Sequence, residues 1–302
     1  MDPPEISNWP TGRVGFVAIV GRPNVGKSTF LNGILGCHLV AVSAKPQTTR
    51  KHWRGILSDD DSQIVFVDTP GIHEARTKLD DAMLRSVRRS LEDADLVLCL
   101  CDALRPGGAE DDLTATRVRE AGKPTILAVN KIDNASPAQQ AAMRSFFLER
   151  LGTDVTAIAL SARHGDNVPE LLEAIRAKLP RGPFFYPPDQ LTDAFERDIG
   201  SEIIREAAIA YLREEIPHSL ATEIIQWDEK EKRLRIDANL YVEHESQKPV
   251  VIGRHGDKLK KIRKRAIELL REWQDRRIDL NLHVRVKLNW RNRPGFLREL
   301  GM

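Results

Sequence analysis

Residues 21–29 read GRPNVGKST, which fits the phosphate-binding pattern G-x-x-x-x-G-K-[ST]. The apolar run 14–20 before them predicts a buried strand, and the helical pattern after them stops at Gly36. Gly21 and Gly26 let the backbone bend toward a phosphate, and successive N–H groups then form an anion nest at a helix N-terminus. The stretch therefore predicts a nucleotide-phosphate site between a strand and a helix.

Two side chains of this loop have specific predicted roles. Lys27 should reach the β- and γ-phosphates, and the Ser28 hydroxyl should bind Mg²⁺. The alternative, a Gly-rich turn with a solvated lysine, leaves the flanking strand and helix unexplained. We expect the whole loop to contact the nucleotide: Gly21, Arg22, Pro23, Asn24, Val25, Gly26, Lys27, Ser28 and Thr29.

The composition of the 302-residue chain is that of a globular protein, and its length favours two domains. It contains no apolar run of about 18 residues, so we expect no transmembrane helix, and its first residues lack the apolar segment of a signal peptide. Three cysteines without metal-ligand spacing predict buried thiols in a reducing, intracellular protein: Cys37, Cys99 and Cys101.

Charge is unevenly distributed along the chain. Residues 181–246 carry 8 basic and 15 acidic side chains, whereas residues 247–302 carry 16 basic and 6 acidic ones, a net charge of +10. A basic block after an acidic one indicates that the last segment meets a polyanion.

From residue 14 to about 179, apolar strands alternate with amphipathic helices. This alternation predicts an α/β domain with a mostly parallel sheet and with ligands at the C-terminal ends of the strands. The predicted strands are 14–20, 53–58, 63–67, 95–101, 124–129 and 155–160, and the predicted helices are about 27–35, 79–91, 110–121, 136–151 and 167–178.

A second phosphate-binding motif follows the strand that ends at Asp68. The tetrapeptide DTPG comprises Asp68, Thr69, Pro70 and Gly71. The carboxylate of Asp68 can hold Mg²⁺ through water, and the N–H of Gly71 can sense a γ-phosphate. Either Thr48 or Thr49 should complete the Mg²⁺ shell, and we favour Thr49.

Two further motifs predict a guanine pocket. In NKID, Asp133 can accept both N1–H and the 2-amino group of guanine, which adenine does not offer, while Asn130 braces the phosphate loop and the stem of Lys131 covers the base. In the tripeptide Ser161, Ala162 and Arg163, the N–H of Ala162 is the expected donor to guanine O6.

The chain beyond residue 194 predicts a second, smaller α+β domain. Its elements run helix, two strands, helix, G-x-x-G, helix and strand, with a hairpin turn at 228–230 and a last strand at about 280–288. This order of elements and the stretch VIGRHGDKLKKI (residues 251–262) resemble a type II KH domain. The resemblance implies RNA binding, because a KH loop of this kind clamps about four backbone nucleotides. We expect RNA to contact Ile252, Gly253, Arg254, His255, Gly256, Lys258, Leu259, Lys261 and Ile262. The alternative is a solvated basic helix that packs on a partner.

These motifs together resemble the Era family of GTPases, a G domain followed by a type II KH domain, over nearly the whole chain. The resemblance implies GTP hydrolysis with Mg²⁺, in which Lys27, Thr49 and Gly71 act in catalysis. It also implies binding of small-subunit (16S) ribosomal RNA near its single-stranded 3′ end, a role in small-subunit assembly, a cytoplasmic location and loose association with the inner face of the membrane. We expect a monomer that binds no DNA.

One position departs from the Ras-like pattern. Ile72 follows DTPG, where Ras-like enzymes carry a glutamine that positions water, so we expect slow intrinsic turnover. Two alternatives stay open: a GTPase acting on another RNA such as tRNA, and an RNA-binding module with negligible hydrolysis.

The sequence thus predicts four segments. They are a flexible tail (1–12), a GTP-binding domain (13–180), a Pro-rich linker (181–194) and a KH domain (195–302).

Overall fold

The computed structural model describes residues 9–43 and 49–302, and these form two compact units. The first unit contains residues 9–36, 50–74 and 84–193, and the second contains residues 37–43, 49, 75–83 and 194–302. None of the described helices is long and apolar enough to cross a membrane.

Within the described residues, the first unit is built on a seven-stranded sheet. Its strands are β1 (Thr11–Val20), β2 (Trp53–Ser58), β3 (Ser62–Asp68), β4 (Leu96–Asp102), β5 (Thr125–Asn130), β6 (Thr156–Leu160) and β7 (Arg181–Pro183). The strand order is β2-β3-β1-β4-β5-β6, and β7 pairs with β1. Only the pairs β2–β3 and β1–β7 are antiparallel among these described strands, so the predicted mostly parallel sheet is confirmed.

Helices connect the parallel strands. They are α1 (Lys27–Leu35), α2 (Lys78–Asp93), α3 (Ala109–Ala121), α4 (Pro137–Leu151) and α5 (Val168–Lys178). Every residue of β3 and β4 is buried, because central parallel strands are covered on both faces. Cys99 and Cys101 on β4 are therefore buried thiols, whereas Cys37 is half-buried.

The predicted Pro-rich linker packs on the first unit. Residues 181–183 form β7 and pair with residues 11–13, so Thr11 and Gly12 belong to a strand rather than to the predicted tail. A partner 170 residues away leaves no local pattern, and this explains the difference. The aromatic side chains that follow fix the segment further, since Phe184 is buried and Phe185 stacks on Phe16 with ring centroids 5.0 Å apart.

The end of the same segment lies along β2. The N–H of Ile56 donates to the carbonyl oxygen of Leu191 at 2.8 Å, and Thr192 Oγ1 donates to the carbonyl oxygen of Arg54 at 2.7 Å. Arg54 also pairs with Asp193 at 2.7 Å. We call residues 181–193 the strap.

The second unit has the predicted elements in the predicted order and two short helices that were not predicted, Ile216–Ser219 and Pro294–Glu299. Its elements are α6 (Glu196–Tyr211), α7 (Ile216–Ser219), β8 (Ala221–Lys230), β9 (Arg233–Val242), α8 (Lys248–Ile252), α9 (Asp257–Trp273), β10 (Arg277–Val286) and α10 (Pro294–Glu299). The strand order is β10-β9-β8, with β9 and β10 parallel and β8 and β9 antiparallel. Burial largely alternates along β9, as expected for a strand with one face in a core. Helix α6 packs on α9 and β8, and α9 also packs on β10.

Two predicted boundaries in this unit are wrong. The hairpin turn lies at residues 231–232 rather than 228–230, because Lys230 pairs with Arg233 and leaves a two-residue loop. The last strand is Arg277–Val286 rather than 280–288, since its pairing with β9 begins at Arg277. Charged side chains on the solvent face concealed both strand ends from the apolar pattern.

Candidate nucleotide site and RNA loop

The phosphate loop lies between β1 and α1, as predicted. Gly26 precedes the helix with φ 106°, and a Cβ atom there would lie 2.3 Å from Asn130 Nδ2. Only glycine tolerates both the left-handed backbone and this close approach. Asn130 Nδ2 donates to the carbonyl oxygen of Val25 at 2.7 Å, so the predicted brace between NKID and the loop is present.

Lys27 is buried within the loop. Its Nζ donates to the carbonyl oxygens of Gly21 and Arg22, both at 3.1 Å. Burial lowers the lysine pKa to about 8, although the negative charge of Asp68 opposes this shift. A phosphate entering the loop would supply the negative charge that the buried ammonium group needs.

Ser28 and Asp68 meet at the end of β3. Ser28 Oγ donates to Asp68 Oδ2 at 2.8 Å, and Asp68 is completely buried. A hydroxyl and a carboxylate are oxygen ligands of the kind that Mg²⁺ prefers, so these two side chains fit that ion. Thr49 is also buried, whereas Thr48 lies outside the described residues.

The DTPG segment runs against the phosphate loop. The N–H of Ile72 donates to the carbonyl oxygen of Gly21 at 3.1 Å, which places Gly71 beside the loop, and Thr69 Oγ1 donates to the carbonyl oxygen of Ile19 at 2.7 Å. The Ile72 side chain is completely buried in the core with Val87. It is therefore a packing residue and cannot orient water, as its chemistry predicted.

The NKID loop follows β5 and touches the phosphate loop a second time. Lys131 has φ 69°, and its Nζ donates to the carbonyl oxygen of Asn24 at 2.8 Å and to Asp102 Oδ2 at 2.7 Å. Asp102 was not predicted from the sequence as a site residue. Its place at the end of β4, the edge that also carries Asp68 and Asn130, was the available signal.

The remaining predicted base contacts lie next to one another. Ser161 Oγ donates to Asp133 Oδ1 at 2.7 Å, and this hydrogen bond lowers the pKa of Asp133. The N–H of Ala162 donates to Asn130 Oδ1 at 2.9 Å, while Arg163 is exposed. These groups surround a carboxylate that stays ionised at neutral pH, which suits recognition of the guanine N1–H and 2-amino donors.

One predicted nucleotide contact is directed elsewhere. The Arg22 guanidinium is nearly buried, with Nε 3.3 Å from Asp111 Oδ1 and Nη2 4.0 Å from Asp102 Oδ2. Its backbone carbonyl accepts from Lys27, so Arg22 serves the phosphate loop through its main chain and its carboxylate partners.

The G-x-x-G loop joins α8 to α9. His255 has φ 53° and Gly256 has φ 79°, so the chain turns sharply before α9 begins. Arg254, His255 and Lys261 are exposed, whereas Lys258 and Leu259 are half-buried. Ile262 was predicted to contact RNA, but it is completely buried on the inward face of α9 and belongs to the core.

Comparisons with known proteins agree with both halves of the fold. The family model described as 50S ribosome-binding GTPase matches residues 16–131, and a KH domain model matches residues 215–291. GTPase Era of Halothermothrix orenii is 39% identical over 95% of this chain and 97% of its own length. GTPase Era of Caldanaerobacter subterraneus subsp. tengcongensis is 43% identical over 96% and 97%.

The chain belongs to the Era family of GTPases. Its fold also matches solved Era structures at 36% identity. An Aquifex aeolicus Era variant bound to GDP and AlF₄⁻ has a TM-score of 0.90, and covers 96% of this chain and 99% of that one. Era in complex with MgGDPNP and nucleotides 1506–1542 of 16S ribosomal RNA has a TM-score of 0.91 over the same shares. This Era-family chain is accordingly a GTP hydrolase with a C-terminal KH domain.

Proposed function

We propose that this GTPase is a molecular switch that binds the single-stranded 3′ region of small-subunit ribosomal RNA and assists assembly of the small subunit. The observation that carries the proposal is the exposed, basic G-x-x-G loop in the same chain as a guanine-nucleotide site. The +10 charge of residues 247–302 and the RNA-bound Era relative support it.

The nucleotide is GTP, which is hydrolysed to GDP, with Mg²⁺ as cofactor. Ser28, Thr49 and Asp68 would hold the ion, which neutralises phosphate charge when bound. Lys27 stabilises negative charge on the transferred phosphate, and the Gly71 N–H reports the presence of the γ-phosphate. Residues 37–54 are expected to form the first switch, a segment that the γ-phosphate orders and that hydrolysis releases. Thr49 lies in this segment, so nucleotide binding at Thr49 would act on the switch.

Coupling to RNA would run through two segments that pack in the second unit. Residues 37–43 contact α6, where Glu206 Oε2 accepts from the Val42 N–H at 2.9 Å and pairs with His38 Nε2 at 2.8 Å. Both residues precede Thr49 in the predicted first switch. Ordering of that switch by GTP would therefore change the contacts that His38 and Val42 make with α6 of the KH domain.

The second segment, residues 75–83, contacts the C-terminal elements. Leu79 and Met83 share a buried cluster with Trp290 and Phe296, and the N–H of Lys78 donates to Asn292 Oδ1 at 3.1 Å. A change of nucleotide that moves the start of α2 must then disturb this cluster. By linkage, bound RNA must change the affinity for GTP by the same factor as GTP changes the affinity for RNA.

We further propose that the protein is a cytoplasmic monomer that visits the small ribosomal subunit and associates peripherally with the inner face of the membrane. The family resemblance is the support for this location. Cell fractionation with and without a high-salt wash tests it, because peripheral association is lost in salt while the soluble pool is not.

The primary test measures binding of a 3′-end rRNA oligonucleotide with a GTP analogue, with GDP and without nucleotide, across a salt series. Phosphate contacts predict a steep loss of affinity with salt. A scrambled oligonucleotide of equal length and a tRNA are the matched controls. Equal binding of all three RNAs would contradict the assignment to rRNA, and a preference for tRNA would favour the alternative substrate.

A second candidate is an RNA-binding module with negligible hydrolysis, which the buried Ile72 favours. Single-turnover hydrolysis separates it from a GTPase switch. We expect slow turnover that Lys27→Ala abolishes and that Asp112→Asn, an exposed change on α3, leaves intact. A signal retained in Lys27→Ala would come from a contaminating enzyme.

A further inference from the structure

Asp102 is a buried carboxylate at the C-terminal end of β4, and 4% of its surface is exposed. Its Oδ2 accepts from Lys131 Nζ at 2.7 Å, and its Oδ1 accepts from the N–H of Leu104 at 3.0 Å. A charge-assisted hydrogen bond removed from solvent restricts both partners more than an exposed ion pair does. Asp102 thus fixes the end of the Lys131 side chain.

The backbone places Asp102 directly beside the base-specificity motif. Asp102 is in register with Asn130 across the parallel pair β4–β5, and the N–H of Ala103 donates to the carbonyl oxygen of Asn130 at 3.0 Å. This pairing brings the Asp102 carboxylate within reach of the residue that follows Asn130. Lys131 then bridges Asp102 to the carbonyl oxygen of Asn24.

The phosphate loop approaches the same carboxylate from its other side. Arg22 Nη2 lies 4.0 Å from Asp102 Oδ2, and Arg22 Nε lies 3.3 Å from Asp111 Oδ1 on α3. Two cations and two carboxylates therefore balance one another. The side chains of Arg22, Asp102 and Asp111 are buried, and that of Lys131 is 31% exposed. Removing the charge of Asp102 would leave Lys131 with a backbone carbonyl alone and Arg22 with one carboxylate.

We propose that Asp102 is a positioning residue for guanine-nucleotide recognition, which acts by holding the Lys131 side chain across the base site. The inference rests on the assignment of residues 130–133 to the base pocket. Because the Lys131 stem covers any purine and does not read its substituents, Asp102 should set the affinity for the nucleotide without setting the choice of base.

The test is a double-mutant cycle on GDP and GTP affinity with Asp102→Asn and Lys131→Met. We expect Asp102→Asn to weaken both nucleotides about tenfold in the native background, the effect of losing one buried charge-assisted hydrogen bond. In the Lys131→Met background the same change should weaken them less than twofold. The ratio of GDP to IDP affinity should stay unchanged.

Asp112→Asn is the matched control, because Asp112 is exposed on α3 and should alter neither affinity. Equal losses from Asp102→Asn in both backgrounds, or no loss in the native background, would overturn the proposal. If Asp102→Asn does not fold, Asp102→Glu enters the same cycle, since it keeps the charge but displaces it. Failure of the base-pocket assignment is recognised separately, by guanine selectivity that survives Asp133→Asn.

Discussion

Lys27 and Gly21 are joined by a hydrogen bond of 3.1 Å from the ammonium group to the carbonyl oxygen, inside a loop that buries the lysine. The neighbouring carbonyl of Arg22 is its second acceptor. Two neutral acceptors compensate a buried cation incompletely, and burial accordingly lowers the lysine pKa to about 8. The buried ammonium group of Lys27 is therefore suited to bind an anionic ligand, which would supply the missing negative charge.

The first prediction is that nucleotide affinity falls at alkaline pH. Bound phosphate favours the protonated lysine, whereas the empty loop loses the proton near pH 8. The Kd for GDP should therefore rise about tenfold between pH 7 and pH 9. Titration calorimetry across this range measures it, and a flat profile would contradict the low pKa.

The lowered pKa of Lys27 should also make the stability of the nucleotide-free protein depend on pH. In the unfolded chain the Lys27 pKa returns to 10.5, so between about pH 8 and 10.5 the unfolded state binds more protons. The contribution of Lys27 to the free energy of unfolding should then increase with pH in that window. Lys27→Met removes this dependence and is the control for other titrating groups.

Asp133→Asn should shift the preference of the site from guanine toward xanthine. The amide NH₂ that this substitution introduces donates a hydrogen bond where the carboxylate accepted one, and the C2 oxygen of xanthine can accept it. Competition between GDP and XDP measures the shift, which we expect to reach about 100-fold in the affinity ratio. Asp133→Ala should bind both nucleotides poorly. Retained guanine selectivity in Asp133→Asn would remove Asp133 from the pocket.

Gly256→Asp should weaken RNA binding by repelling phosphate. The φ of 79° at this position strains most side chains but is tolerated by asparagine. Among the described residues, no group beyond the adjacent chain lies within 4 Å of a Cβ atom there. Gly256→Asn is therefore the matched control for the charge. We expect about a tenfold larger loss of rRNA affinity for Asp than for Asn, measured at low salt. Equal affinities would place the RNA elsewhere.

Trp290→Ala should destabilise the second unit by about 3–5 kcal/mol in its free energy of unfolding. The indole is completely buried, packs against Phe296, and donates from Nε1 to the carbonyl oxygen of Ser219 at 2.8 Å. Trp290→Phe should cost less, because it keeps most of the packing. Urea unfolding followed by circular dichroism measures both, with the half-buried Trp273→Phe as control. A small loss of unfolding free energy in Trp290→Ala would contradict the packing of Trp290 in this buried cluster.

The phosphate loop and its place in the sheet could be predicted because local chemistry and strand order determine them together. A strand, a glycine-rich turn and a helix specify the phosphate loop, because the motif needs all three, and the alternation of elements then fixes which edge of the sheet carries Asp68 and Asn130. The G-x-x-G loop was found in the same way, from its flanking elements. The hydrophobic Ile72 was noted from its type, although its burial explains why that type is required.

Features that depend on residues far apart in the chain could not be predicted from the sequence. Asp102 shows no motif of its own, and its importance comes from Lys131, which reaches it from the loop that follows the neighbouring strand β5. Ile262 was predicted to contact RNA because it adjoins the basic loop, but it lies on the inward face of α9 and is buried. The short strand β7 has three residues and no apolar pattern, so only its pairing with β1 reveals it.

The strap has a consequence for the colloidal behaviour of the protein. β2 is an edge strand, and an uncovered edge offers free N–H and carbonyl groups to any other chain. Leu191 and Thr192 occupy such groups on Ile56 and Arg54. A fragment that ended at residue 180 would lose this cover together with β7, and would present a template for edge-to-edge aggregation. Pro-rich composition thus conceals a segment that keeps the sheet soluble.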